Sequence, residues 1–156
     1  MNYYLNIGSN IGNRRDNIYR AVVALSAGHS QCRISSPIES DPWGFTSSNR
    51  FMNVGMHIVS DLTPLQMLRR NQAIERRLGS GPHRDATGAY IDRLVDIDIV
   101  AIDDLVIDLP MLQVPHPRLP HRLFFLLPMQ ELAPTWHHPL LHLTPSELAL
   151  RVKSEE

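Results

Sequence analysis

Hydrophobic and polar positions repeat along this chain with two periods, every second residue or every third to fourth, and the switches between them set out its elements. Tyr3 to Ile7 predicts a short strand, closed by Gly8-Ser9-Asn10. Ile18, Ala21, Val22 and Leu25 then fall at helical spacing, which predicts a helix over 14–27 with Gly28 as its stop. A second strand is expected over 33–36. Glu39 to Asn49 is rich in turn residues and reads as a functional loop. Phe51 to Ser60 predicts a strand with Val54, Met56 and Ile58 on one face. Thr63-Pro64-Leu65-Gln66 combines an N-cap threonine, a proline at the first helical position and a capping-box glutamine, so a helix should run to about Leu78.

A polar, glycine-containing loop over 79–92 leads into the apolar strand Arg93 to Val100. A return strand is expected at 105–107, a proline-rich connector at 110–120 and a helix over 121–132 that Ala133-Pro134 stops. Thr144-Pro145-Ser146-Glu147 repeats the capping-box start for a short last helix. The order strand–helix–strand–strand–helix–strand predicts an α+β fold. Its expected form is a ferredoxin-like βαββαβ core in a three-layer αβα sandwich with a mixed or antiparallel sheet. At 156 residues the chain reads as a single domain over 1–156.

One strand breaks its own pattern. Asp96 and Asp98 interrupt the apolar run Leu94-Val95-Asp96-Ile97-Asp98-Ile99-Val100. Residues two apart in a strand point to the same face, so the carboxylates project together with Cα atoms ~7 Å apart. Such a pair repels unless a positive charge joins it, and a hard cation such as Mg²⁺ shared with substrate phosphates answers that need. A bare D-x-D fits the solvated face of an edge strand at least as well. The context has to decide.

Charge and composition narrow the partners. A net charge of -1 argues against a general nucleic-acid binder, and no apolar run is long enough for a membrane span. The start of the chain carries no signal-peptide pattern, so a soluble, cytoplasmic protein is expected. Cys32 stands alone, which excludes an internal disulfide and any multi-cysteine zinc site; it reads as a packing residue. His137, His138 and His142 lack a carboxylate at ligand spacing and read as surface or packing groups.

Around the aspartates stand Arg84, Arg93, Arg122 and His116, the last fixed within Val114-Pro115-His116-Pro117. Carboxylates for metal, with arginine and histidine for phosphate oxygens, compose a nucleotide-polyphosphate site. Each of these residues alone has a structural reading as well. Neither G-x-x-x-x-G-K-[ST] nor G-x-G-x-x-G occurs, and Gly8-Ser9-Asn10 serves equally as a phosphate cradle or a plain turn. Trp43, Phe45, Phe51, Tyr90 and Phe124 supply rings for a flat heterocycle, and Asn53 a donor and acceptor for its edge. Packing in the core is the alternative for Phe51 and Phe124.

With these residues assembled, the chain resembles the 6-hydroxymethyl-7,8-dihydropterin pyrophosphokinases of the folate pathway, from Ile7-Gly8-Ser9-Asn10 to about Pro134. The most specific part is Asp92-Arg93-Leu94-Val95-Asp96-Ile97-Asp98-Ile99, followed by Val114-Pro115-His116-Pro117 and Arg122. Glu39 to Gly44, Phe51-Met52-Asn53 and Gln72-x-x-Glu75 complete the pattern. The resemblance implies a diphosphokinase that transfers pyrophosphate from ATP to the pterin hydroxymethyl group. It implies that Asp96 and Asp98 hold two Mg²⁺ ions, and that these with Arg93 form the catalytic set. Gln72, Glu75, Arg84, Arg93, His116 and Arg122 would contact ATP. Ser40, Asp41, Pro42, Trp43, Phe51, Asn53, Tyr90 and Phe124 would contact the pterin. The expected partners are these two substrates, with no nucleic acid and no membrane, and the chain is expected to be monomeric.

Three positions depart from the common pattern: Tyr90 where many members have tryptophan, Met111 where some have arginine, and Gly79 to Arg84 without an arginine directly after glycine. A metal phosphoesterase would use the same two aspartates without the aromatic-amide set. A non-catalytic ferredoxin-like module binding nucleotide or RNA would need neither.

Overall fold

In the computed structural model, residues 1–40, 50–79 and 94–154 are described. Along the chain they form β1 (Asn2–Ser9), α1 (Arg14–Ser26), β2 (Cys32–Ile34), β3 (Ile38–Ser40), β4 (Phe51–Val59), α2 (Pro64–Arg77) and β5 (Asp96–Ile102). There follow β6 (Ile107–Leu109), β7 (Leu112–Val114), a 3₁₀ turn (Leu119–His121), α3 (Leu123–Leu132) and α4 (Pro145–Ser154).

The main sheet has the order β2-β4-β1-β5, and β3 extends the β2 edge by pairing with β4. Every pairing in it is antiparallel. With β2 and β4 as the second and third strands, this is the ferredoxin-like order, and the sheet is antiparallel rather than mixed.

Each face of the sheet has its own apolar cluster. Leu5, Ile7, Met56, Ile58 and Ile97 meet Ile18 and Leu25 of α1 and Met67 and Ile74 of α2 on one side. Val100 and Ala101 meet Phe125, Leu126 and Met129 of α3 and Leu148 of α4 on the other. The result is the three-layer αβα sandwich. Both capping boxes form: the Thr63 N–H donates to Gln66 Oε1 at 2.9 Å and the Gln66 N–H returns to Thr63 Oγ1 at 3.2 Å. Thr144 and Glu147 make the same exchange at 3.1 and 3.2 Å, and the Thr144 N–H and hydroxyl, both donating to Glu147 Oε1, hold that carboxyl below its ordinary range. Cys32 packs against the α1/α2 cluster, and burial pushes its thiol up, as suits a packing residue.

Two devices shape the α3 side. Gly55 of β4 lies directly under α3: a Cβ there would stand 2.5 Å from Pro128 Cβ, so only glycine lets the helix sit this close. Pro128 lies inside α3, where it cannot donate a helical hydrogen bond. In β5, Ile99 pairs with Leu5 but Ala101 with Tyr4, which leaves Val100 as one extra residue. Such a bulge shifts the alternation of faces, so residues on either side of it obey different phases.

The structure corrects three boundaries. β1 continues through Ser9, so Gly8 and Ser9 are strand residues; Ser9 Oγ accepts from Asn17 Nδ2 at 3.2 Å. The strand expected over Arg93 to Val100 is described as Asp96–Ile102, so it runs two residues further than expected, while Arg93 lies outside the described residues. The return strand expected at 105–107 is instead a separate hairpin, β6 with β7, turning at Pro110-Met111. Its prolines disguised two short strands as a connector.

Candidate active site

Three neighbouring strands build the floor of the site. Gly8 of β1 pairs with Asn53 on one side and Asp96 on the other; Asn6 pairs with Gly55 and Asp98. Residues directly opposite in an antiparallel pair share a face. Asp96, Asp98, Asn6, Gly8 and Asn53 therefore all project to the α3 side. The two carboxylates are half-buried, whereas Asn6 and Asn53 are buried at 3% and 2% exposure.

A relay of amides fixes one end of this floor. Asn6 Nδ2 donates to Asn53 Oδ1 at 3.1 Å, and Asn53 Nδ2 donates to Ser40 Oγ at 2.8 Å. Asn6 Oδ1 is buried with no hydrogen-bond partner among the described residues. An unmet buried acceptor costs ~1–3 kcal/mol, so this one is set to receive a donor from a ligand. Phe51 pairs with Ser40 across β4 and β3 and is buried beside this relay. At Gly8, a Cβ would meet Asn53 Oδ1 at 3.0 Å and Phe51 Cδ1 at 3.4 Å; glycine keeps the amide and the ring where they are.

The other end opens along the free edge of β5. A cavity of about 300 Å³ is lined by Gln72 and Glu75 of α2, Asp98 of β5, Met111 at the hairpin tip, and His116. Glu75 is buried, and its Oε2 accepts the Ile97 N–H at 3.0 Å. It thus ties α2 to the strand between the two aspartates. Arg122 does not line this cavity; its guanidinium lies over the rings of Phe124 and Phe125, 5.3 and 5.2 Å from their centroids.

His116 is held from three directions. Its N–H donates to the Val100 carbonyl at 2.8 Å, its ring meets Phe125 edge-on at 4.8 Å, and its Nδ1 accepts the Arg118 N–H at 3.1 Å. The Val114–Pro115 peptide before it is cis. Burial, then the charge of Arg122, push the ring down to about 4, with Asp96 opposing and Arg118 reinforcing. At neutral pH the imidazole is therefore uncharged, and with Nδ1 occupied its proton is on Nε2.

Of the residues picked out in the sequence, the structure gathers Gln72, Glu75, Asp98 and His116 around one cavity, and Ser40, Phe51 and Asn53 around the amide relay. Asp41, Pro42, Trp43, Phe45, Arg84, Tyr90 and Arg93 lie outside the described residues. Sequence reasoning missed Asn6, although a polar residue between Leu5 and Ile7 is the same kind of signal as the two aspartates. Among the described residues no group of three or more His, Cys, Asp or Glu side chains could hold a metal by itself.

A ferredoxin-like sandwich whose edge strand presents paired carboxylates beside a cavity and a buried amide relay has the makings of a phosphoryl-type transferase, whose work is positioning and charge compensation. Comparison with known proteins narrows that class. Residues 4–134 match the family described as 7,8-dihydro-6-hydroxymethylpterin-pyrophosphokinase. The chain is 36% identical over 138 residues to the 2-amino-4-hydroxy-6-hydroxymethyldihydropteridine pyrophosphokinase of Porphyromonas gingivalis, covering 87% of this chain and 92% of that protein. It is 34% identical over 152 residues to the folic acid synthesis protein FOL1 of Dictyostelium discoideum, covering 96% of this chain and 22% of that longer protein. The fold matches the crystal structure of Plasmodium falciparum HPPK-DHPS with a TM-score of 0.73 at 14% identity, covering 99% of this chain and 44% of that one. This chain belongs to the 7,8-dihydro-6-hydroxymethylpterin-pyrophosphokinase family, the pyrophosphokinases of folate biosynthesis.

Proposed function

We propose that this chain, as one catalytic unit over 1–156, transfers pyrophosphate from ATP to 6-hydroxymethyl-7,8-dihydropterin at the face shared by β5, β1 and β4. The reading is carried by one observation: Asp98–Asn6 and Asp96–Gly8–Asn53 pair across adjacent strands, so acidic and amide chemistry share one surface. In the reaction, the pterin hydroxymethyl oxygen bonds to the β-phosphorus and loses its proton. The bond from that phosphorus to the AMP oxygen breaks, and AMP leaves.

The donor set fits Mg²⁺. Two hard carboxylates project together, the ligand type of an ion that shares its shell with phosphates and water. Asp96 and Asp98 would hold two such ions, whose chemistry is to offset charge on the attacking and leaving oxygens. The protein's own groups position the reactants. His116 Nε2–H donates to a phosphate oxygen. Gln72 and the Glu75 tether flank the nucleotide, with Arg84, Arg93 and Arg122 supplying positive charge. Phe51 and Phe124 bracket the pterin ring. Ser40, Asn53 and the open Asn6 Oδ1 read its edge, and Asp41, Pro42, Trp43 and Tyr90 cover it. A cytoplasmic monomer is the expected working form; no helix among the described residues is long and apolar enough to cross a membrane.

The deciding assay follows AMP release from ATP and Mg²⁺ with and without the hydroxymethyl pterin. Release that requires the pterin and stops on chelation is expected. ATP hydrolysis indifferent to the pterin would sink the reading.

A further inference from the structure

Behind the turn that carries His116 lies a second cavity, of about 520 Å³, with neither aspartate of β5 on its lining. Gln113, His116 and Pro117 line both spaces, so this turn is the wall between them. The cavity's other walls are largely apolar, including Ile107 of β6, Pro120, Leu141 and Leu148 of α4, with half-exposed Val106 at the rim. A volume of this size falls within the roughly 300–1,000 Å³ range of small-molecule sites.

The polar groups on it are mostly donors. His138 lines the cavity and is only 5% exposed. Its Nδ1 accepts the N–H groups of Leu140 and Leu141, both at 3.2 Å. The neutral ring therefore carries its proton on Nε2, which has no hydrogen-bond partner among the described residues. Arg151 of α4 and His121 are exposed and also line the cavity. The single acid on the lining, Asp108, already accepts from Gln113 Nε2 at 3.2 Å.

We infer that this cavity is a second ligand site, for a small organic anion with an aromatic, apolar body. The body lies against Ile107, Pro120 and Leu148, and the acidic head accepts from His138 Nε2–H and pairs with Arg151. A charge-assisted pair with a guanidinium at the mouth of an apolar pocket gives such a ligand both orientation and specificity.

Anilinonaphthalene sulfonate, an aromatic anion whose fluorescence rises in apolar surroundings, is the probe. Titrated into the full chain, it should saturate as one site. Arg151→Ala should weaken binding by about tenfold, the loss of one charge-assisted contact. Val106→Trp should block the cavity from its rim and abolish the signal. Both positions are exposed, and unchanged thermal melts would confirm that the variants fold. Saturating ATP with Mg²⁺ should leave the probe bound. Absence of saturable binding, equal binding by both variants, or competitive displacement by ATP would each overturn the assignment. Turnover plays no part in the readout, so a failure of pyrophosphoryl transfer would not mimic any of these results.

Discussion

Asp98 and Asn6 face each other across β5 and β1, yet their loss should be felt by different substrates. Asp98→Ala removes one of two carboxylates that share a face, so turnover should drop by about 10²-fold or more, measured as AMP release at saturating substrates, with circular dichroism melts reporting that the fold is kept. Asn6→Ala removes the donor that aims the Asn53 amide and the acceptor left open beside it. The KM for the pterin should rise by about tenfold while the dissociation constant for ATP, read by calorimetry, stays put. Equal effects on both substrates would argue against the amide relay as the pterin-reading edge. His116 gives a pH signature. Its pKa is about 4 in the folded protein against 6.5 for a free ring, so between those values the unfolded chain binds a proton that the folded chain refuses. The stability associated with a neutral His116 is fully present above pH 6.5 and is lost as the pH falls toward 4. His57 and His138 are lowered by burial as well, so His116→Asn should reduce the acid loss in melting temperature between pH 7 and 4.5 without removing it.

Helices and strands were legible to different degrees, and the reasons are physical. Helix starts are local chemistry: Thr63 with Gln66 and Thr144 with Glu147 state their caps within four residues, and both caps form. Strand ends are set by partners far away in sequence. Nothing near Gly8 says that β1 runs on to Ser9, yet its pairing with Asn53 and Asp96 on either side carries the strand there. The β6–β7 hairpin was hidden because three-residue strands are too short for alternation to register amid prolines. Gly55 was equally silent: a glycine inside an apolar strand reads as a weakness until α3 is seen to rest on it. Gly55→Ala should cost about 1–3 kcal/mol in chemical denaturation, since a Cβ 2.5 Å from Pro128 forces the helix off the sheet. A stability equal to that of the native chain would mean that α3 yields without cost.

For the molecule as a whole, the sequence carried the chemistry better than its placement. The D-x-D pair, His116 and the Phe51–Asn53 run lie far apart in the chain, and only their joint order pointed to the family. What could not be read was how they meet. Asn6 and Gly8 sit in the middle strand and join the acidic end to the amide end, a role that depends on β1 pairing with both β4 and β5. The second cavity was also invisible, because it is made between a hairpin that the pattern concealed and a tail whose histidines looked unconnected.

The extra residue in β5 has a consequence for how this strand can change over time. Before Val100 the strand turns its acids to the α3 side and its isoleucines to α1 and α2; after it, Ala101 faces α3 and α4 while Ile102 returns to the first core. Val100 is therefore a punctuation mark between two messages written in opposite frames, and its carbonyl also holds the His116 N–H at 2.8 Å. Replacing the side chain edits a letter; removing the residue removes the mark. Ile99 and Ala101 would then be neighbours opposite Leu5 and Tyr4, already on opposite faces, so the ladder runs through and Asp96, Asp98 and Ile102 keep their sides. What is lost is the Val100 side chain from the α3/α4 cluster and the carbonyl that holds His116. Deletion of Val100 should therefore leave a cooperatively folded chain with a lower melting temperature and impaired AMP release, whereas Val100→Ile should spare both, as circular dichroism melts and AMP release would report. The extra residue holds the His116 turn; the two faces of the strand would survive without it.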